Sequence, residues 1–231
     1  MRSPAPPAID PDAGDDPDAV EAASFVLALR ARGVRDSAVL GALERVPREA
    51  FVPPEHRLLA RRDLALPLPC GQTMTAPSTV ATMLTALLPL AGARILEVGT
   101  GSGYVTALLV RLGGAEIVSL DRYATLSEDA RDRLDAADLL GSTVTLAVAD
   151  GCAPAQDPAP YDRILVNGAL LSLPQALLAR LAPGGRLVGA LMGEGGTRLI
   201  VVERDAEGRF HRRLEGRLPL GRLTPGRAAA L

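Results

Sequence analysis

The segment LEVGTGSGY, residues 96–104, constrains this chain more than any other. It follows the apolar run ARIL and leads into the helical pattern YVTALLVRLG. Gly99, Gly101 and Gly103 alternate there, so the backbone can turn sharply and approach a ligand closely. The helix beyond them offers free N–H groups and the positive end of its dipole. Eighteen residues past Gly103, a second strand pattern, EIVSLD, ends at Asp121. A carboxylate at that tip can accept hydrogen bonds from both hydroxyls of a ribose.

The patterns on either side extend this unit into a sheet. Strand-like runs recur at TVTLAVADG, DRILVNG, GRLVGALMG and TRLIVVERD. Helical patterns lie between them, including TLSEDARDRLDAADLLG up to Gly141 and SLPQALLARLAPGG. Strands alternating with helices predict a Rossmann-like α/β fold, doubly wound, with a mostly parallel seven-stranded sheet and helices on both faces. Only EGG separates the last two runs, so one of them is antiparallel. Residues 1–18 hold five Pro and five Asp and few large apolar side chains. They read as a disordered acidic tail. Residues 19–231 read as one domain: a helical, substrate-covering segment to residue 80, then a cofactor-binding core from 81. In the helical segment, AVEAASFVLALRARG ends at Gly33, and Asp36 stands where an N-cap belongs.

The ligand follows from the charges around the loop. A dinucleotide fingerprint requires a third glycine where this chain has Tyr104. Glu97 stands two residues before the first glycine, where it would repel a pyrophosphate and suit a cation. The third strand ends in ADG, so Asp150, with Gly151, can accept from an adenine amino group. S-adenosylmethionine carries an ammonium, a sulfonium, a carboxylate and a ribose diol, and no phosphate. It fits a site of Glu97, Gly99, Gly101, Gly103, Asp121, Arg122, Asp150 and Gly151, with S-adenosylhomocysteine as its product.

A further stretch, PCGQTMTAPSTVATML (residues 69–84), places Thr73, Thr75, Ser78 and Thr79 between a turn and a helix. Together with RVPREAFVPPEHRLLARRDLALPL upstream, ILEVGTGSGYVTALL, ADG, YDRILVNGALLSLPQALLARLAPGGRLV and GEGG, it resembles the protein-L-isoaspartate O-methyltransferase family over residues 34 to 225. The upstream block is the most specific part of the resemblance. It implies methyl transfer from S-adenosylmethionine to the carboxylate of isoaspartyl residues in proteins or peptides, the first step of repair through a succinimide. It assigns Thr75 to the catalytic hydroxyl position and to the acceptor carboxylate, where the family usually has Ser. Gln72, Thr73 and Thr224 are assigned to the cofactor, and Asp63, Asn167, Gly168 and Ala169 to the acceptor. An acceptor carboxylate is ionised at neutral pH, so the site needs orientation and desolvation, not a strong base. Three departures are expected to touch the acceptor side: Thr75 itself, Arg61 in place of an aromatic residue, and the bulkier Leu170 and Leu171. They leave open a same-fold methyltransferase with another carboxylate acceptor, or a cofactor-binding protein without catalysis.

Composition excludes some classes. Net charge is −2 although all 25 basic residues are Arg, and aromatic residues make up 3% with no Trp. Neither supports a nucleic-acid partner. No apolar run reaches the length of a membrane span and no secretory leader is apparent. Cys70 and Cys152 make neither a disulfide framework nor a metal site. The expectation is a cytoplasmic monomer without a metal. His56 and His211 are isolated and read as surface or packing residues.

Overall fold

The structure, a computed structural model, describes residues 17–154 and 160–228. The expected tail lies outside these up to residue 16, and Pro17 and Asp18 already belong to α1 (Pro17–Ala31). That helix ends at Gly33, whose φ of 98° lets the Val34 N–H return to the Leu29 carbonyl. Asp36 then caps α2 (Ser37–Arg45), its carboxylate accepting from the Val39 N–H at 2.9 Å. Two 3-10 turns, Arg48–Ala50 and Pro54–Leu59, lead to a hairpin of β1 (Leu66–Leu68) and β2 (Gln72–Met74). Helix α3 (Pro77–Leu87) follows.

The α/β core begins with β3 (Arg94–Val98), α4 (Tyr104–Arg111), β4 (Glu116–Asp121) and α5 (Ala124–Ala136). It continues through β5 (Val144–Val148), β6 (Tyr161–Leu170), α6 (Gln175–Ala179), β7 (Leu181–Gly193), β8 (Gly196–Arg204) and β9 (Phe210–Arg217). The large sheet runs β5-β4-β3-β6-β7-β8-β9. Its first five strands pair in parallel, and β8 is antiparallel to both neighbours. Apolar clusters fill both faces. One gathers Leu40, Leu84, Leu108 and Leu134 from the helices with Ile95 and Leu165 from the sheet. The other packs Leu177 and Leu178 of α6 on Leu96, Ile164 and Leu187. The expected doubly wound architecture is therefore observed.

Two elements differ from expectation. Helix α5 stops at Ala136 instead of running to Gly141. Asp138 takes a left-handed φ of 54°, and the Leu139 N–H returns to the Leu134 carbonyl at 2.8 Å. This reversal turns Leu139, 8% exposed, into the core. The seventh strand is β9, whose sequence FHRRLEGR carries no apolar alternation and was not placed by pattern. It is held at the sheet edge by its ladder to β8 and is exposed along most of its length.

Strand order reverses at β3: β4 lies on one side of it and β6 on the other. In open α/β sheets this switch point opens a crevice at the carboxyl ends of the strands. Gly99, Asp121 and Asp150 stand at or just beyond those ends, and Asn167 lies in the last part of β6, three residues before Leu170.

Candidate active site

The crevice is a cleft of about 1030 Å³ measured out to its mouth. Its floor is the glycine loop, its walls the tips of β4, β5 and β6, and its cover the hairpin strand β2 with the segment Leu220–Thr224. Of the residues expected at the cofactor, Gln72, Thr73, Gly99, Gly101, Asp121, Arg122, Asp150, Gly151 and Thr224 line it, as do Thr75 and Asn167 from the acceptor set.

Asp121 builds the loop that it borders. It is 6% exposed; one carboxylate oxygen accepts from the Gly101 N–H at 2.9 Å and the other from the Tyr123 N–H at 3.0 Å. Each oxygen retains a further lone-pair site for a ligand hydroxyl. Asp150 is committed in the same manner, accepting from Cys152 N–H at 2.9 Å and Gly226 N–H at 2.7 Å. The second bond anchors the segment that covers the cleft. Among the described residues neither aspartate makes an ion pair. Two carboxylates without cationic partners suit a ligand bearing positive charge and hydroxyl or amino donors, and oppose a pyrophosphate. The residues present thus fit S-adenosylmethionine.

Glu97 corrects an expectation. It does not line the cleft but lies beneath the loop, 0% exposed. Thr106 Oγ1 and Ser119 Oγ donate to one of its oxygens, and Asn167 Nδ2 donates to the other at 2.7 Å. Burial pushes its carboxyl up to about 7 against those three hydrogen bonds, and the charge of Asp121 adds to the rise. Glu97 is a keystone of the loop, and its neighbour Asn167 inherits an orientation. Both amide hydrogens of Asn167 are committed, to Glu97 and to the Gly99 carbonyl at 2.9 Å. Its Oδ1 is left as an acceptor.

Four further assignments are corrected. Gly103 is the N-cap of α4, packs against Ala130 and is not part of the cleft lining. Gly168 and Ala169 are covered by the segment that follows β9. A Cβ on Gly168 would lie 2.8 Å from Leu223, and Ala169 exchanges backbone hydrogen bonds with Gly221 and Leu223. Asp63 is absent from the lining. It accepts from the Ser78 N–H at 2.8 Å, capping α3 from fifteen residues away, and pairs with Arg32 at 3.0 Å. Ala76, the N-cap of α3, offers no side-chain bond of its own.

Thr75 sits between β2 and α3, half-buried, and lines the cleft. Among the described residues its hydroxyl makes no hydrogen bond within the chain. The other two departures expected on the acceptor side lie elsewhere. Arg61 pairs with Glu49 and Glu21, Leu170 is buried in the core, and exposed Leu171 is not part of the lining. Of the cysteines, Cys70 occupies a tight turn beside the core, and burial together with Asp150 pushes the Cys152 thiol up to about 11. His211 is exposed and faces Asp205. Pattern reading missed Leu220, Gly221, Arg222 and Leu223, which reach the cleft only through tertiary pairing with β6.

Gly151 shows how tightly the floor is built. A Cβ there would come within 2.5 Å of Val98 Cγ1 and 2.8 Å of Cγ2. Val98 is β-branched and stiff. Gly151→Ala is therefore expected to cost about 2 kcal/mol, visible in calorimetry as a fall of roughly 4–8 °C in Tm.

Sheet order, glycine floor and acidic strand tips together define the class I S-adenosylmethionine-dependent methyltransferases. The family model for protein-L-isoaspartate(D-aspartate) O-methyltransferase matches residues 21–218. A protein-L-isoaspartate O-methyltransferase of Methylorubrum populi is 44% identical over 213 residues, 92% of this chain and 99% of that protein. That of Azorhizobium caulinodans is 48% identical over 168 residues, covering 73% and 76%. The chain belongs to the protein-L-isoaspartate O-methyltransferase family. Solved structures agree on the fold. A Plasmodium falciparum protein of this kind, in complex with S-adenosyl-L-homocysteine, superposes with a TM-score of 0.74 at 18% identity, covering 87% of this chain and 97% of its own. A second protein-L-isoaspartate O-methyltransferase gives 0.72 at 21% identity, covering 88% and 66%.

Proposed function

We propose that this protein transfers a methyl group from S-adenosylmethionine to the carboxylate of L-isoaspartyl residues in proteins and peptides. The observation that carries the reading is Thr75: half-buried, its hydroxyl without a partner among the described residues, and on the lining of a cleft that also holds Asp121 and Asp150. When bound, S-adenosylmethionine supplies an electrophilic methyl carbon whose leaving group is a neutral thioether. An acceptor carboxylate oxygen forms the new O–C bond while the S–C pair returns to sulfur, and no proton has to move. The chain's task is positional. Asp121 holds the ribose diol, Asp150 and Gly151 border the adenine, and Gln72 and Thr73 close over them. Thr75 donates to the acceptor, and Asn167 Oδ1 takes an N–H from the acceptor's backbone. The ester that results is activated toward attack by the neighbouring backbone nitrogen, giving the succinimide that opens repair.

Among the described residues no helix is long and apolar enough to cross a membrane. With a net charge of −2, the reading is completed by a cytoplasmic monomer acting on proteins and not on nucleic acid.

The test is a pair of peptides, one isoaspartyl and one with the normal aspartyl linkage, incubated with labelled S-adenosylmethionine. Label on the isoaspartyl peptide alone supports the proposal; equal labelling, or none, overturns it. In the same assay Thr75→Ser is expected to remain active. Thr75→Val, which keeps the shape and removes the hydroxyl, is expected to lower kcat/KM by about 10–100-fold with the cofactor Kd unchanged by calorimetry.

A further inference from the structure

A charged side chain lies behind the acceptor wall, outside the cleft. Arg48, in the 3-10 turn Arg48–Ala50, is 2% exposed and among the largest fully buried side chains. Burying a guanidinium is costly unless its donors are used. Here the two Nη groups are spent on backbone, while the buried Nε has no partner among the described residues. Nη1 donates to the carbonyls of Ala60 at 2.8 Å and Arg62 at 3.4 Å; Nη2 donates to those of Leu64 at 3.1 Å and Thr75 at 3.1 Å. Three of these carbonyls belong to the turn at 60–64. The fourth belongs to the residue whose hydroxyl faces the acceptor. The same turn supplies Asp63, which fixes the Ser78 N–H three residues beyond Thr75. Thr75 is thus held at its own carbonyl by Arg48, and the chain three residues on is held at the Ser78 N–H by Asp63; neither charged group lines the cleft.

We infer that Arg48 is a positioning residue for the acceptor site, setting where the Thr75 hydroxyl stands by holding its carbonyl. The inference rests on the functional reading above. The planar fork spreads its donors over four carbonyls from two separate segments; a lysine ammonium carries the charge but sets its three donors at a single point. Cofactor residues Asp121 and Asp150 are tied to the opposite wall and make no bond to Arg48. A change at Arg48 is therefore expected to act first on Thr75, and on neither Asp121 nor Asp150.

The experiment compares Arg48→Lys with the wild-type chain in three readouts. Acceptor KM for the isoaspartyl peptide is expected to rise about tenfold, with the calorimetric Kd for S-adenosylhomocysteine within about twofold of wild type. Hydrogen–deuterium exchange is expected to accelerate across residues 72–79 and to stay unchanged across 99–104. In a Thr75→Val background, Arg48→Lys is expected to add almost nothing to the KM. Val39→Ala, a core change in α2 that lowers Tm, serves as the control and should leave the KM and the 72–79 exchange alone. Equal losses in cofactor and acceptor binding, unchanged exchange at 72–79, or full additivity with Thr75→Val would each overturn the inference. Loss of the whole fold in both Arg48→Lys and Arg48→Gln would assign the residue to stability alone, and overturn it too. If wild type does not methylate the isoaspartyl peptide, the functional reading fails, while the exchange data still decide whether Arg48 pins Thr75.

Discussion

Asp121→Ala is expected to weaken binding of S-adenosylmethionine and its product by about two orders of magnitude. Two hydrogen bonds from a ribose diol to an ionised carboxylate are worth about 1.5 kcal/mol each at the low end, and about 3 kcal/mol corresponds to roughly a hundredfold in Kd. The substitution also strips acceptors from the Gly101 and Tyr123 N–H groups, so the loop loses its brace along with its ligand contact. Asp121→Asn is no milder choice. Its amide nitrogen must face one of those two N–H groups, donor against donor. Calorimetry with S-adenosylhomocysteine checks both variants, and a Kd within about threefold of wild type would remove Asp121 from the cofactor site.

The second large effect is on stability as a function of pH. The Glu97 carboxyl is held up to about 7 in the folded protein from an ordinary value of 4.5. Between those two pH values the folded state keeps a proton that the unfolded chain has released. Stability from this group is therefore complete below about 4.5, falls as pH rises through 7, and is level above that. The full span is on the order of 3 kcal/mol. Glutamine at 97 has no such titration. Its oxygen can face Asn167 Nδ2, and its nitrogen can donate to the hydroxyls of Thr106 and Ser119, which accept as readily as they donate. The difference in unfolding free energy between Glu97→Gln and wild type is expected to shift in favour of the variant from pH 5 to pH 8. Taking the difference cancels other titrations, such as that of Asp205, whose carboxyl is held low by His211 and Arg209. A difference that stays constant across that range would show that Glu97 is ionised throughout.

What the sequence made legible was local. An apolar run, a glycine turn and a helix identify β3, the loop and α4. Asp121 and Asp150 were readable because the tip of a strand is a position along the chain. Asp36 was readable as a cap because its partner is three residues away. The misread residues are those whose partners lie far off in sequence. Glu97 was placed at the ligand because β3 is buried on both faces, so alternation could not say which way its side chain points. Asp63 was assigned to the acceptor by the family resemblance, and nothing near it in sequence announces that it caps α3. Gly168 and Ala169 looked like site residues because the segment covering them comes fifty residues later. Strand β9 went unplaced because its inner neighbour β8, not its own composition, makes it a strand.

The segment Leu220–Thr224 completes one wall of the cleft and is fastened by Gly226 to Asp150 and by Ala228 to Arg122. Every other wall comes earlier in the chain. A polypeptide emerging from the ribosome can therefore assemble its sheet and glycine loop while the pocket still stands open on one side. That side closes only when residues 220–228 fold back onto the ends of β5 and β6, so the cleft depends on contacts between distant parts of the chain.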